Sequence, residues 1–138
     1  MSTKREQILN TIKTNLEAVT GVAEVTIDKT TLISIDSVPM SSCFIYAGPE
    51  ARAKDDRQVL GSETWIWVIQ IELWSYIEDS ETMLGRIHQA MYDDRTIGGL
   101  AVNSYRIGAD SRYFDLDGTR KAVLIPYEVL YRHTIGTM

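Results

Sequence analysis

TWIWVIQIELWSY, Thr64 to Tyr76, runs thirteen residues without a glycine, a proline or a positive charge. Fully extended it would span about 43 Å at ~3.3 Å per residue. A compact chain of 138 residues has a diameter of roughly 37 Å. The strand would therefore be as long as the protein is wide. By alternation Trp65, Trp67, Ile69, Ile71 and Leu73 share one face. Ile66, Val68, Trp74 and Tyr76 share the other, with Gln70 and Glu72 between them. The wholly apolar face is expected to meet helices. The opposite face, apolar but interrupted by two polar residues, is expected to be covered in part by a neighbouring subunit, because uncovered apolar patches mark contact sites. A loop folded over it, or a bulge dividing the strand, are the alternatives.

The flanking sequence supplies two helices. Residues 3–19 place Ile8, Leu9, Ile12, Leu16 and Val19 at helical spacing, Thr3 and Glu6 have capping-box spacing, and Gly21 suits a left-handed residue beyond the end. Residues 80–92 carry a stripe of Met83, Leu84, Ile87 and Met91, with Asp79 or Ser80 as N-cap, and DDRTIGG breaks that helix. The segment from Glu24 to Ala47 is rich in β-branched residues and ends in a predicted strand, Ser42 to Ala47. Two more strands are predicted at Leu100 to Ile107 and Arg120 to His133, with a hairpin tip at Asp117-Gly118. Pro126 cannot donate to a ladder and marks a bulge or an edge. Between them GPEARAKDDRQVLGSE, Gly48 to Glu63, is polar and without periodicity. It reads as a long loop, mobile until assembly orders it. The order helix, strands, helix, strands gives an α+β fold, a mostly antiparallel sheet with two helices packed on one face.

The totals fit a single domain over residues 1–138. Hydrophobic residues make up 44% and charged residues 24%, the balance of a globular protein. No apolar run is long enough to span a membrane, and the polar interruptions in the first 19 residues do not make a secretory signal. One cysteine, Cys43, excludes an intrachain disulfide and fits a reducing cytoplasm. The net charge is −5 and the pI about 5.0, with basic residues interleaved among acids. Tight binding to phosphates is thereby disfavoured.

Catalytic patterns are weak. The two histidines, His88 and His133, fall on separate elements, and Cys43 sits in a predicted buried strand, so no nucleophile–base pair stands out. Asp115-Leu116-Asp117-Gly118 lacks the spacing and the distal glutamate of a calcium loop. Gly98-Gly99 has no phosphate-loop spacing or lysine. Asp93-Asp94 reads as a solvated helix end, and Trp65, Trp67 and Trp74 without a basic groove read as core or interface rather than a base-stacking platform. No pair of acids is singled out for glycoside hydrolysis. The expectation is no enzyme, no metal and no cofactor.

Several features together resemble the tail terminator, or tail completion, proteins of tailed bacteriophages. They are the helix at the start, VPMSSCFIYAGPE with its proline before a short apolar strand, the charged loop leading into a long strand, the turn Asp94-Arg95-Thr96-Ile97-Gly98-Gly99-Leu100 after the second helix, and the closing AVLIPYEVLYRH. The likeness is one of order and texture over nearly the whole chain, and Pro126 departs from it. It implies a sheet flanked by helices and a homo-oligomer, a hexameric ring, at the head-proximal end of the virion tail. Such a ring is assembled in the host cytoplasm, stops the tail tube protein from polymerising and offers a surface to a head-closure or neck protein. An acidic lumen would let DNA pass without specific binding. Arg52, Lys54, Asp55, Asp56, Arg57, Trp74 and Tyr76 are the expected subunit and tube contacts. The alternatives are a neck or head-closure connector, a small non-viral α+β enzyme or ligand-binding domain, and a cytosolic oligomeric adaptor.

Overall fold

The computed structural model describes residues 3–27, 41–52, 62–107, 112–115 and 119–134. Helix α1, Lys4–Glu17, starts where predicted: the Thr3 hydroxyl accepts a hydrogen bond from the Glu6 amide at 3.1 Å, satisfying one of the first turn's free donors. Its stripe of Ile8, Leu9, Ile12 and Leu16 is buried. Gly21 follows with φ +94°, the left-handed conformation expected of it. A Cβ there would stand 3.0 Å from Met83 Sδ, at the meeting point with the second helix.

Strand β1, Glu24–Ile27, runs parallel to β2, Ser42–Arg52. Strand β2 pairs antiparallel with β3, Ser62–Tyr76, the long strand of the sequence. After the short 3-10 turn Ile77–Asp79 comes helix α2, Ser80–Asp93, burying the predicted Met83, Leu84, Ile87 and Met91. Strands β4, Asn103–Arg106, and β5, Arg112–Asp115, precede β6, Arg120–Thr134. The sheet order is β1-β2-β3-β6-β4, with β5 also on β6. One pair is parallel and the rest are antiparallel. The fold is α+β, as expected.

The spine of the sheet is the β3–β6 pair, in unbroken register over fifteen residues from Ser62↔Thr134 to Tyr76↔Arg120. Its helix-facing side is the face predicted to be wholly apolar. Trp67, Ile69, Ile71 and Leu73 of β3 and Val123, Ile125, Tyr127, Val129 and Tyr131 of β6 form one buried cluster with both helix stripes, and Trp65 packs against it. No bulge divides β3; the irregularity lies in β2, between Ala47 and Glu50. Gly48 permits it, because a Cβ there would lie 2.6 Å from the Val68 carbonyl oxygen, closer than heavy atoms pack without displacement.

Four expectations need correction. The predicted loop from Gly48 to Glu63 is too long at both ends: β2 continues through the bulge to Arg52, and β3 begins at Ser62. Residues 53–61 lie outside the described residues. The strand predicted at Leu100 to Ile107 is only Asn103–Arg106, because residues 94–100 form an extended turn. Strand β5 falls in a segment assigned no strand; the tip at Asp117-Gly118 lies outside the described residues. Pro126 sits in the sheet interior opposite Gln70, with no register shift. Its carbonyl accepts from the Ile107 amide at 3.1 Å, so its main chain faces the outer side of β6. There β4 covers residues 127–130 and β5 covers residues 121–124. The proline stands in the gap between two short partners, where a missing N–H disrupts no ladder.

Candidate subunit interface

The face of β3 turned away from the helices holds Ile66, Val68, Gln70, Glu72, Trp74 and Tyr76. In register beside them on β6 are Ala122, Leu124, Pro126, Glu128 and Leu130. Its two ends differ. Towards the end of β3, Trp74 is only 7% exposed, and Phe44 of β2 meets its ring edge-on at 5.1 Å between centroids. The indole Nε1 donates to Glu72 Oε1 at 2.9 Å, and the Tyr46 hydroxyl donates to the same oxygen at 3.2 Å. Glu72 is thus the acceptor that ties two aromatic side chains together. Burial, followed by the charge of Glu72, raises the Tyr46 phenol above its usual range, which keeps it a donor. Towards the start of β3, Ile66, Val68 and Leu130 are each partly exposed, as is Leu124 beside Glu72. Both described helices lie on the other side of the sheet.

The expected contact residues do not form one patch. Trp74, expected on an open surface, is covered within the protomer by Phe44. Tyr76, two residues on, is 44% exposed. Arg52 ends β2 opposite Trp65, nine residues along β3 from Trp74 and so about 30 Å away. Lys54, Asp55, Asp56 and Arg57 lie outside the described residues. The hairpin geometry separates the set: Arg52 is at the end of β2 nearest Ser62, and Trp74 and Tyr76 are at the other end of β3.

A second feature was not singled out by the sequence. Between α2 and strands β4 and β6 lies a cavity of about 420 Å³, lined among others by His88, Tyr92, Arg95, Ser104, Tyr105 and Arg106, with Tyr127 also in its wall. The turn after α2 shapes it. Both Asp94 carboxylate oxygens accept from the Gly98 amide at 3.0 Å, and Asn15 of α1 donates to Oδ2 at 2.8 Å. Asp94 is therefore a brace between α1 and the turn, not the solvated acid expected. The brace holds Ile97 at φ +50°, an uncommon conformation for a β-branched residue, with its side chain buried. The Ser104 hydroxyl donates to the Arg95 carbonyl at 2.8 Å, and the Arg95 guanidinium lies 5.6 Å from the Tyr92 ring centroid, within cation–π range. Inside, His88 Nδ1 and the Tyr127 hydroxyl are 2.6 Å apart. Burial and then the nearby Arg106 charge lower the His88 pKa, so the imidazole is neutral and can share that hydrogen bond as acceptor. The signal available in the sequence was the pairing of tyrosine with arginine at Tyr92–Arg95 and Tyr105-Arg106, but nothing in the spacing says that the two pairs meet.

Cys43 is fully buried, and burial pushes its thiol up to about 12. It is a small core hydrophobe rather than a nucleophile, since the reactive form is the thiolate. Among the described residues no helix is long and apolar enough to cross a membrane.

No family model matches the chain, and no curated protein does. Among solved structures, the chain is similar to one in "Virion of native gene transfer agent (GTA) particle", over 91% of this chain and 92% of that one, with a TM-score of 0.48 and 7% identity.

Proposed function

We propose that the protein is a structural component of a phage virion, a tail terminator that closes the tail tube as a hexameric ring and offers a surface to the head-closure or neck protein. The observation that carries the reading is the two-sidedness of the β3–β6 ribbon. One face is sealed by α1 and α2, and the other leaves Ile66, Val68, Leu124 and Leu130 partly open. A subunit of this kind is completed by contact with another chain. The order of elements, helix, short apolar strand, charged segment, long strand, helix, turn and closing strand, is the one on which the likeness to tail terminators rests. The work of such a ring is geometric: it buries one edge of a polymer and presents a different one, without catalysis or cofactor. Six copies at −5 each carry −30 formal charges, a field that favours passage of DNA over its retention.

The test is electron microscopy of particles produced without the protein. Tails of uncontrolled length are the expected result. Tails of normal length beside unattached heads would instead indicate a neck connector, and normal joined particles would overturn the virion reading.

A further inference from the structure

The cavity between α2, β4 and β6 lies on the helix side of the sheet, away from the open β3–β6 face. Its volume of about 420 Å³ falls within the ~300–1,000 Å³ range of small-molecule sites. Gly85, His88, Gln89 and Tyr92 line it from α2, at the spacing of one helix face. Arg106 lines it from β4, in register with Tyr127 of β6. Gly85 is unexpected there. It stands in the middle of α2, where glycine weakens a helix relative to alanine. Among the described residues a Cβ at that position would meet nothing within 4 Å, so no described packing partner calls for the missing side chain. Its absence leaves the helix backbone bare as one wall of the cavity.

The polar lining is rich in donors. Burial raises the pKa of the Tyr127 phenol, and Arg106 only partly draws it back. The hydroxyl therefore keeps its proton and donates to His88 Nδ1. The proton of the neutral imidazole is then on Nε2, which is buried and has no hydrogen-bond partner among the described residues. Protein interiors rarely leave such a donor unmatched. Arg95 and Arg106 add guanidinium N–H groups, and among the described residues no carboxylate lines the cavity. The acids of the neighbourhood have partners of their own. Asp93 accepts from Gln89 at 2.7 Å, Asp94 from the Gly98 amide and Asn15, and Glu128 from Tyr105 on the far face of the sheet. Arg106 is the charge that bears on His88 and Tyr127 alike.

We propose that the cavity binds a small organic carboxylate, its charged end received by Arg106 and His88 and its apolar body laid along α2 at Gly85 against the Tyr92 ring. Arg95 lies over that ring, which leaves Arg106 as the guanidinium beside the His88–Tyr127 pair. One guanidinium with a neutral imidazole matches a monoanion, and a guanidinium receives a carboxylate through paired N–H groups. The volume exceeds what an inorganic anion fills, and the bare helix and the aromatic ring offer the rest of the ligand an apolar wall. The imidazole is held by Tyr127 before any ligand arrives, which lowers the ordering that binding requires. The site goes beyond the ring reading and does not rest on it.

Nuclear magnetic resonance of the isotope-labelled full chain tests it at constant ionic strength. The probes are phenylbutyrate, its uncharged isostere phenylbutyramide, and inorganic phosphate as a bare anion. Phenylbutyrate is expected to shift the His88 ring signals and the Gly85, Tyr92 and Arg106 amides saturably. The amide is expected to bind about tenfold or more weaker, and phosphate to leave those signals in place. Arg106→Gln is expected to bring acid and amide to equal affinity. Gly85→Leu fills the cavity at a position with room for a side chain and is expected to abolish binding of both probes; the spectrum of each variant reports its fold. Equal affinity of the parent for acid and amide, phosphate acting as phenylbutyrate does, shifts that survive Gly85→Leu, or no saturable shift in the parent would overturn the site. Tail length in particles lacking the protein is a separate readout, so the site can fail while the terminator reading stands, and the reverse.

Discussion

At the scale of single residues, positions of little apparent interest fix the ribbon. Gly48 is one, since any side chain there meets the Val68 main chain. Gly48→Ala is expected to destabilise the fold by about 1–3 kcal/mol, read as a lower urea midpoint with an unchanged slope. Asp94 is another. Asp94→Ala removes the acceptor shared by Asn15 and the Gly98 amide and is expected to cost about 1–3 kcal/mol by the same measurement. His88 makes stability depend on pH. Its folded pKa is depressed, chiefly by burial and then by Arg106 on β4, with the Tyr127 hydroxyl of β6 against its Nδ1, and Arg95 lining the same cavity. Above the ordinary imidazole value of ~6.5 the contribution is fully present. As pH falls through that value the unfolded chain takes up a proton first, so stability is lost until the pH passes below the folded value. The drop in melting temperature from about pH 7.5 to about pH 5.5 is expected to be smaller in His88→Gln than in the parent; an equal drop would contradict the assignment.

At the scale of elements, the strand that poses the structural question is asymmetric in energy as well as in exposure. Ile69 and Val68 are neighbours, yet Ile69 is fully buried against the helices and Val68 is partly open on the far face. Ile69→Ala is expected to cost about 2–5 kcal/mol, and Val68→Ala well under half of that, both read by chemical unfolding. Similar losses at the two positions would mean that the far face is sealed within the protomer. The helices were legible because a 3.6-residue stripe admits few alternatives: Ile8, Ile12 and Leu16, and Met83, Ile87 and Met91, are buried as the period dictates. The faces of β3 were legible for the same reason at period two. What alternation does not reveal is what covers a face, and Trp74 was misplaced on that account: Phe44, thirty residues earlier, lies over it. The end of β2 was hidden because Gly48-Pro49 followed by charges has the composition of a loop, yet a bulge carries the pairing on to Arg52. Strand β5 was hidden because four residues framed by acids give too short a pattern to register.

At the scale of the whole molecule, the protomer is a sheet with one side sealed by the two helices and the other, among the described residues, partly open. The sheet class follows from element order, but the cavity does not, because its wall is drawn from α2, the turn after it, β4 and β6. Such a site exists only once the chain has folded, which is why Arg95 and Tyr105 went unremarked while the contiguous Arg52–Arg57 segment drew attention. The account is tested most directly by the copy number and position of this chain in purified particles, measured by quantitative mass spectrometry against the tube protein together with immunogold labelling. It predicts about six copies per tail, confined to the end that meets the head. Absence of the chain from the particles, or labelling spread along the length of the tail, would contradict it.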